Sequence, residues 1–218
     1  MRKLFLKAFL LAGMLIAGFG NIVYAKNVPV TDMFPEDFTQ ECITRVISQG
    51  RELKISDLEN RPELSNIEGL DAWTAHVVRD DGRALMTLQT DKNANDAIMS
   101  IFLTISYDDM DKESSPQSNL IVADDFLSVL AGALGMNTQE SGKLFRQNFV
   151  EHPTDSIWCP ALGKSIVYSI VRNDEWKLYY FMIFATDVNP DEPKAEEAPA
   201  VEAPATENNE ADEYYEED

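Results

Sequence analysis

The chain has 218 residues, 38 acidic and 18 basic side chains, two cysteines and two histidines, with a formal charge of −20. At 44% hydrophobic and 26% charged it has the composition of a globular domain with appendages, which excludes a fibrous or wholly disordered protein. The charge is partitioned as +3 over residues 1–25, −12 over 26–188 and −11 over 189–218, and so acidic a body repels phosphate backbones, so neither nucleic acid nor an anionic membrane surface is expected as a partner.

Arg2, Lys3 and Lys7 precede an apolar run from Ala8 to Phe19, and Val23-Tyr24-Ala25 places small residues at the −3 and −1 positions of a signal-peptidase site. This layout predicts a secretory signal peptide over 1–25, leaving a mature chain with no stable membrane anchor in the periplasm or the secreted fraction. An uncleaved anchor is the alternative, but a spanning helix needs about 20 apolar residues and Lys7 shortens the run. No cysteine sits at the end of the apolar run, so a lipoprotein anchor is not expected.

Residues 26–188 are read as a single domain. Pro35, then Phe38, Cys42, Ile43, Val46 and Ile47 at helical spacing, then Gly50, predict an amphipathic helix. Residues 51–70 read as a loop with one short helical turn. The hydrophobic period then becomes two: 72–79 and 83–89 flank Asp80-Asp81-Gly82 as a hairpin, and 98–107 follows as a strand with Met99, Ile101, Leu103, Ile105 and Tyr107 on one face. Val122, Phe126, Val129, Leu130 and Ala133, closed by Gly135, predict a second helix. Asn137 with Glu140 three residues on reads as the capping box of a third, carrying Leu144, Phe145 and Phe149. A second hairpin, 165–171 and 176–187 around Asn173-Asp174-Glu175, ends the domain; its last strand is apolar on both faces, as in a covered central strand. Together these elements predict an α+β domain: an antiparallel sheet of about five strands with helices packed on one face. After Val188 the chain turns to Pro, Ala, Glu and Asn, a composition with too little apolar surface to fold, and 189–218 is expected to be a disordered acidic tail.

Little in the domain resembles an active site. Outside the cytoplasm the lone pair Cys42 and Cys159 reads as a disulfide rather than a redox or metal couple, with two buried free thiols as the alternative. His76 and His152 lack ligand partners at metal-site spacing. No Gly-x-Ser-x-Gly elbow is present, and Gly163-Lys164-Ser165 lacks the earlier glycine of a phosphate loop. Asp91, Asn93 and Asn95 alternate as in a calcium loop, but Asp96 and Phe102 stand where glycine and glutamate belong, so a polar turn is the stronger reading. Tyr168, Trp176, Tyr179 and Phe181 gather on the last hairpin and are the candidate ligand-binding residues, to be weighed against a role in the core. The expected function is that of an exported, non-catalytic module binding a protein partner or an apolar small molecule without a cofactor. The alternatives are an exported hydrolase with a site assembled from scattered residues, and a structural accessory working through its acidic tail.

Overall fold

A computed structural model describes residues 27–65, 68–108, 115–137, 139–142 and 154–189. The described chain runs β1 (Asn27–Val28), α1 (Pro35–Ser48), β2 (Lys54–Ile55), β3 (Glu59–Asn60), a 3-10 turn (Pro62–Leu64), β4 (Leu70–Arg79), β5 (Gly82–Asp91) and β6 (Ala97–Ser106), then α2 (Pro116–Ala133), β7 (Thr154–Cys159), β8 (Lys164–Asn173) and β9 (Leu178–Thr186). The strands form one antiparallel sheet in the order β2-β4-β5-β6-β9-β8-β7, with β3 also on β4 and β1 on β9. The architecture is a predominantly antiparallel sheet with few helices, consistent with the predicted α+β class. There are nine strands rather than five. The five predicted strands correspond to β4, β5, β6, β8 and β9. The additions are three two-residue strands and β7, a six-residue edge strand that exposes Asp155 and Ser156.

The chain arrives at this order because both hairpins close locally and then meet. Asp80 and Asp81 form a two-residue connection, with Asp80 at φ 45° and Arg79 opposite Gly82. In the second hairpin the residue with positive φ is Lys177, at 55°. The two hairpins join where β6 pairs with β9, from Ser100 opposite Phe184 to Ser106 opposite Leu178.

One sequence expectation fails through a bulge. Gln89 pairs with Ser100 but Thr90 pairs with Ile98, so Met99 is an extra residue in β6. Below it the alternation inverts, and Ile98, not Met99, joins Ile101, Leu103 and Ile105 in the core. In α1 the buried stripe is Phe38, Cys42 and Val46, while Ile47 is 74% exposed, so the apolar face is narrower than its spacing suggested. The helix closes as expected, with Gly50 at φ 61° and the Arg51 amide bonded to Val46 O.

Helix α2 crosses β4, β5 and β6, and α1 packs against α2 and β2. Phe126, Leu127 and Leu130 of α2 share one core with Phe38 of α1 and with Ala75, Met86, Leu103 and Phe181 of the sheet. Two polar clips fix α2 in place. Asn119, almost fully buried, accepts from the Arg83 amide (2.7 Å) and donates to Ser106 O (2.9 Å). Asp125 is bridged by Arg51 (2.5 Å) after α1 and by Arg79 (2.6 Å) at the end of β4. The approach is closest at Gly82, where an added Cβ would lie 2.5 Å from Ser118 O and 2.8 Å from Val122 Cγ2.

Gly82→Ala is therefore expected to cost about 1–3 kcal/mol, because the obstacle is helix backbone that cannot rotate away. Calorimetry should show Tm falling by roughly 2–4 °C per kcal/mol. An unchanged Tm would mean that α2 does not seat on β5 as described.

Candidate functional site

The exposed side of α2 faces the β8–β9 half of the sheet across an open groove of about 470 Å³. Gln117, Leu120, Ile121 and Asp124 form the helical wall, and Ile170, Tyr179 and Phe181 the sheet wall. The helix residues fall at i, i+3, i+4 and i+7, one stripe of a helix whose other stripe is Val122, Phe126, Val129 and Leu130 in the core. Leu120 and Ile121 are each 41% exposed, whereas Phe181 beneath them is 1% exposed. The size and the mostly apolar walls with few polar groups are those of a small-molecule pocket.

The sheet wall follows from register. Tyr179 pairs with Arg172, Phe181 with Ile170 and Ile183 with Tyr168, all projecting on one face. Of the four aromatics singled out in the sequence, Tyr179 and Phe181 line the groove. Tyr168 lies beside its floor, stacked on Phe181 with centroids 6.4 Å apart and planes 23° apart. Trp176 is elsewhere: with Val171 and Leu178 it packs on Phe102, Tyr180 and Met182, a small cluster on the opposite face. Tyr168, Tyr179 and Phe181 thus share one face, while Trp176, in the turn ahead of β9, packs on the other.

Beyond Tyr179 the groove ends in a polar cluster. Tyr107 donates its hydroxyl proton to Asp174 Oδ1 (2.5 Å), and Arg172 Nε donates to the same oxygen (2.8 Å). The Arg172 guanidinium lies 4.8 Å from the Tyr107 ring centre and 6.0 Å from that of Tyr179, within cation–π range, and Lys177 Nζ lies 5.9 Å from Tyr107. The bonds from Tyr107 and Arg172 hold the Asp174 carboxyl below the usual carboxylate range. Sequence reasoning missed this cluster because Tyr107 and Arg172 are brought together only through β9.

The remaining candidates do not converge on the groove. Asp91 Oδ1 accepts the Asn93 amide (2.8 Å), while Asn95 and Asp96 adopt positive φ, so Asp91, Asn93 and Asn95 build the turn joining β5 to β6. Among the described residues no three His, Cys, Asp or Glu side chains gather as a metal site. His76 is exposed on β4; its amide donates to Ser56 Oγ (2.9 Å), so that hydroxyl is engaged by backbone. His152, Leu144, Phe145 and Phe149 lie outside the described residues, although the capping box ahead of them is present, with Asn137 and Glu140 exchanging amide bonds of 2.8 Å each. Gly163 ends the turn before β8, Lys164 opens the strand, and Lys164 Nζ donates to Pro29 O (2.8 Å).

Cys42 and Cys159 are both fully buried free thiols. Cys159 Sγ lies 3.8 Å from Ile157 O, and burial followed by the charge of Glu140 pushes its thiol up to about 11. Burial pushes Cys42 up as well. No family model, curated protein or solved structure matches the chain.

A thiol whose folded pKa exceeds its unfolded value stabilises the fold below the unfolded pKa and loses that contribution as pH rises. Reduced protein is therefore expected to lose stability between about pH 9 and 11, and to leave both cysteines unlabelled by a thiol reagent at pH 8 until denatured. Prompt labelling of either cysteine in the native state would contradict this burial.

Proposed function

We propose that the protein is an exported, non-catalytic binding module of the bacterial envelope or secreted fraction, and that its site is the groove between α2 and the β8–β9 end of the sheet. In this reading residues 26–188 are one domain whose helices share one face of the sheet, followed by an acidic tail. The carrying observation is that Leu120 and Ile121 stand open to solvent directly across from Tyr179 and Phe181, in a concavity of about 470 Å³. Leucine and isoleucine left exposed on the helix cost solvation free energy that an apolar ligand would recover on binding. The groove favours an apolar small molecule over a flat protein partner because its walls face each other. Catalysis finds no support in the described residues, where His76 has no acid or nucleophile arranged around its imidazole. Export is supported by the leader sequence, and a disulfide between Cys42 and Cys159 remains the oxidised form proposed for that compartment.

A neutral solvatochromic dye such as Nile red tests the site, since an uncharged probe reports the apolar walls independently of any charged contact. The mature protein is expected to bind it with an emission blue shift. Ile121→Asn with Leu120→Asn should weaken binding about ten-fold or more through loss of apolar area, with little change in Tm because both positions are exposed. Dye binding equal in wild type and variant would refute the assignment. N-terminal sequencing of protein from the envelope fraction tests export: a start near Lys26 is expected, and an intact Met1 recovered only from cytoplasm would contradict it.

A further inference from the structure

The end of the groove beyond Tyr179 differs in charge from the rest of the molecule. Arg172 and Lys177 both approach the Tyr107 ring, and among the described residues the carboxylate hydrogen-bonded to Arg172 is Asp174, so two cations gather here on a body carrying −12. Arg172 is two residues from Ile170 on the same strand face and directly opposite Tyr179, and its guanidinium lies 6.0 Å from the ring centre of Tyr179, a residue of the groove wall. It is also held in place, by two ring faces and by Asp174 at its Nε, which lowers the entropy cost of using its remaining donors. At the other end Asp124 lies toward Tyr168, on which its charge acts. No hydrogen bond or ion pair holds Asp124 among the described residues.

On these grounds, and resting on the binding reading above, we infer that the groove takes a free long-chain carboxylate, its headgroup on Arg172 and its chain between Leu120, Ile121, Ile170 and Phe181. The two ends fix the direction. A carboxylate at Arg172 gains a charge-assisted, planar-matched contact, whereas the same group beside Asp124 meets like charge. The overall negative charge does not prevent this, since at physiological salt charges beyond about 8 Å are screened and the guanidinium is the nearest charge to the headgroup.

Calorimetric titration of the mature protein with laurate, dodecanol and dodecylammonium, each below its micelle concentration, tests the inference. Laurate is expected to bind about ten-fold or more tightly than dodecylammonium, the worth of one charge-assisted contact. Arg172→Gln should weaken laurate at least about ten-fold more than it weakens dodecanol, and Arg172→Lys should restore part of the difference. A Tm within a degree or two of wild type is expected for both variants, since Arg172 is exposed. If laurate and dodecanol respond alike to Arg172→Gln, or dodecylammonium binds tightest and loses that on Asp124→Asn, the headgroup assignment is overturned while the apolar groove stands. If none of the three binds, the binding reading itself falls.

Discussion

The seating of α2 is the constraint from which the rest follows. Asn119 spends both ends of its amide on backbone, joining the first turn of the helix to β5 and β6, and Asp125 ties the next turn to Arg79 and Arg51. Buried and charge-assisted bonds of this kind are costly to break, because each partner removed leaves the other desolvated and unpaired. With Gly82 allowing helix backbone against strand backbone, α2 is held over β4–β6 and cannot slide toward β9. The β8–β9 half is then left facing the flank of α2 instead of its core stripe, and the groove is the space between them.

That placement explains why an acidic domain carries apolar residues in the open. α2 is apolar around most of its circumference, a pattern normally found in helices buried on all sides. Here one stripe meets the shared core and the other ends at Leu120 and Ile121 in solvent. The polar boundary is also asymmetric. Arg172, Tyr107 and Asp174 lock one another at one end, while Asp124 lines the helical wall at the other with no hydrogen bond or ion pair among the described residues. On the proposed binding reading, this difference between the two ends would give a ligand a direction as well as a volume.

What the sequence disclosed, it disclosed through local chemistry. Asp80-Asp81-Gly82 and Asn173-Asp174-Glu175 marked both hairpins, Pro35 and Gly50 bounded α1, and Asn137 with Glu140 announced a capping box whose reciprocal bonds are present. What it hid depended on pairing between distant segments. The bulge at Met99 is a property of β6 against β5, and no residue of 97–106 taken alone signals it. β7 carries polar, exposed residues and is a strand only because β8 offers it an edge. Of the site, Tyr179 and Phe181 were legible from aromatic concentration, but Trp176 was read with them although it lies in the turn ahead of β9 and packs on the other face. Leu120 and Ile121 were overlooked because only one stripe of the helix, Val122, Phe126, Val129, Leu130 and Ala133, was read from its spacing. The spacing of Gln117, Leu120, Ile121 and Asp124 was the available signal, a second stripe beside the buried one.

The most direct examination of the central claim is a methyl-resolved NMR titration of the mature protein with a neutral apolar alcohol, with the isoleucine, leucine, valine and methionine methyls assigned. Shifts confined to Leu120, Ile121 and Ile170 would place the ligand between α2 and β8–β9. Shifts centred instead on Val171, Leu178 and Met182, the cluster on the opposite face, or no shift at the groove methyls at saturating alcohol, would contradict the account.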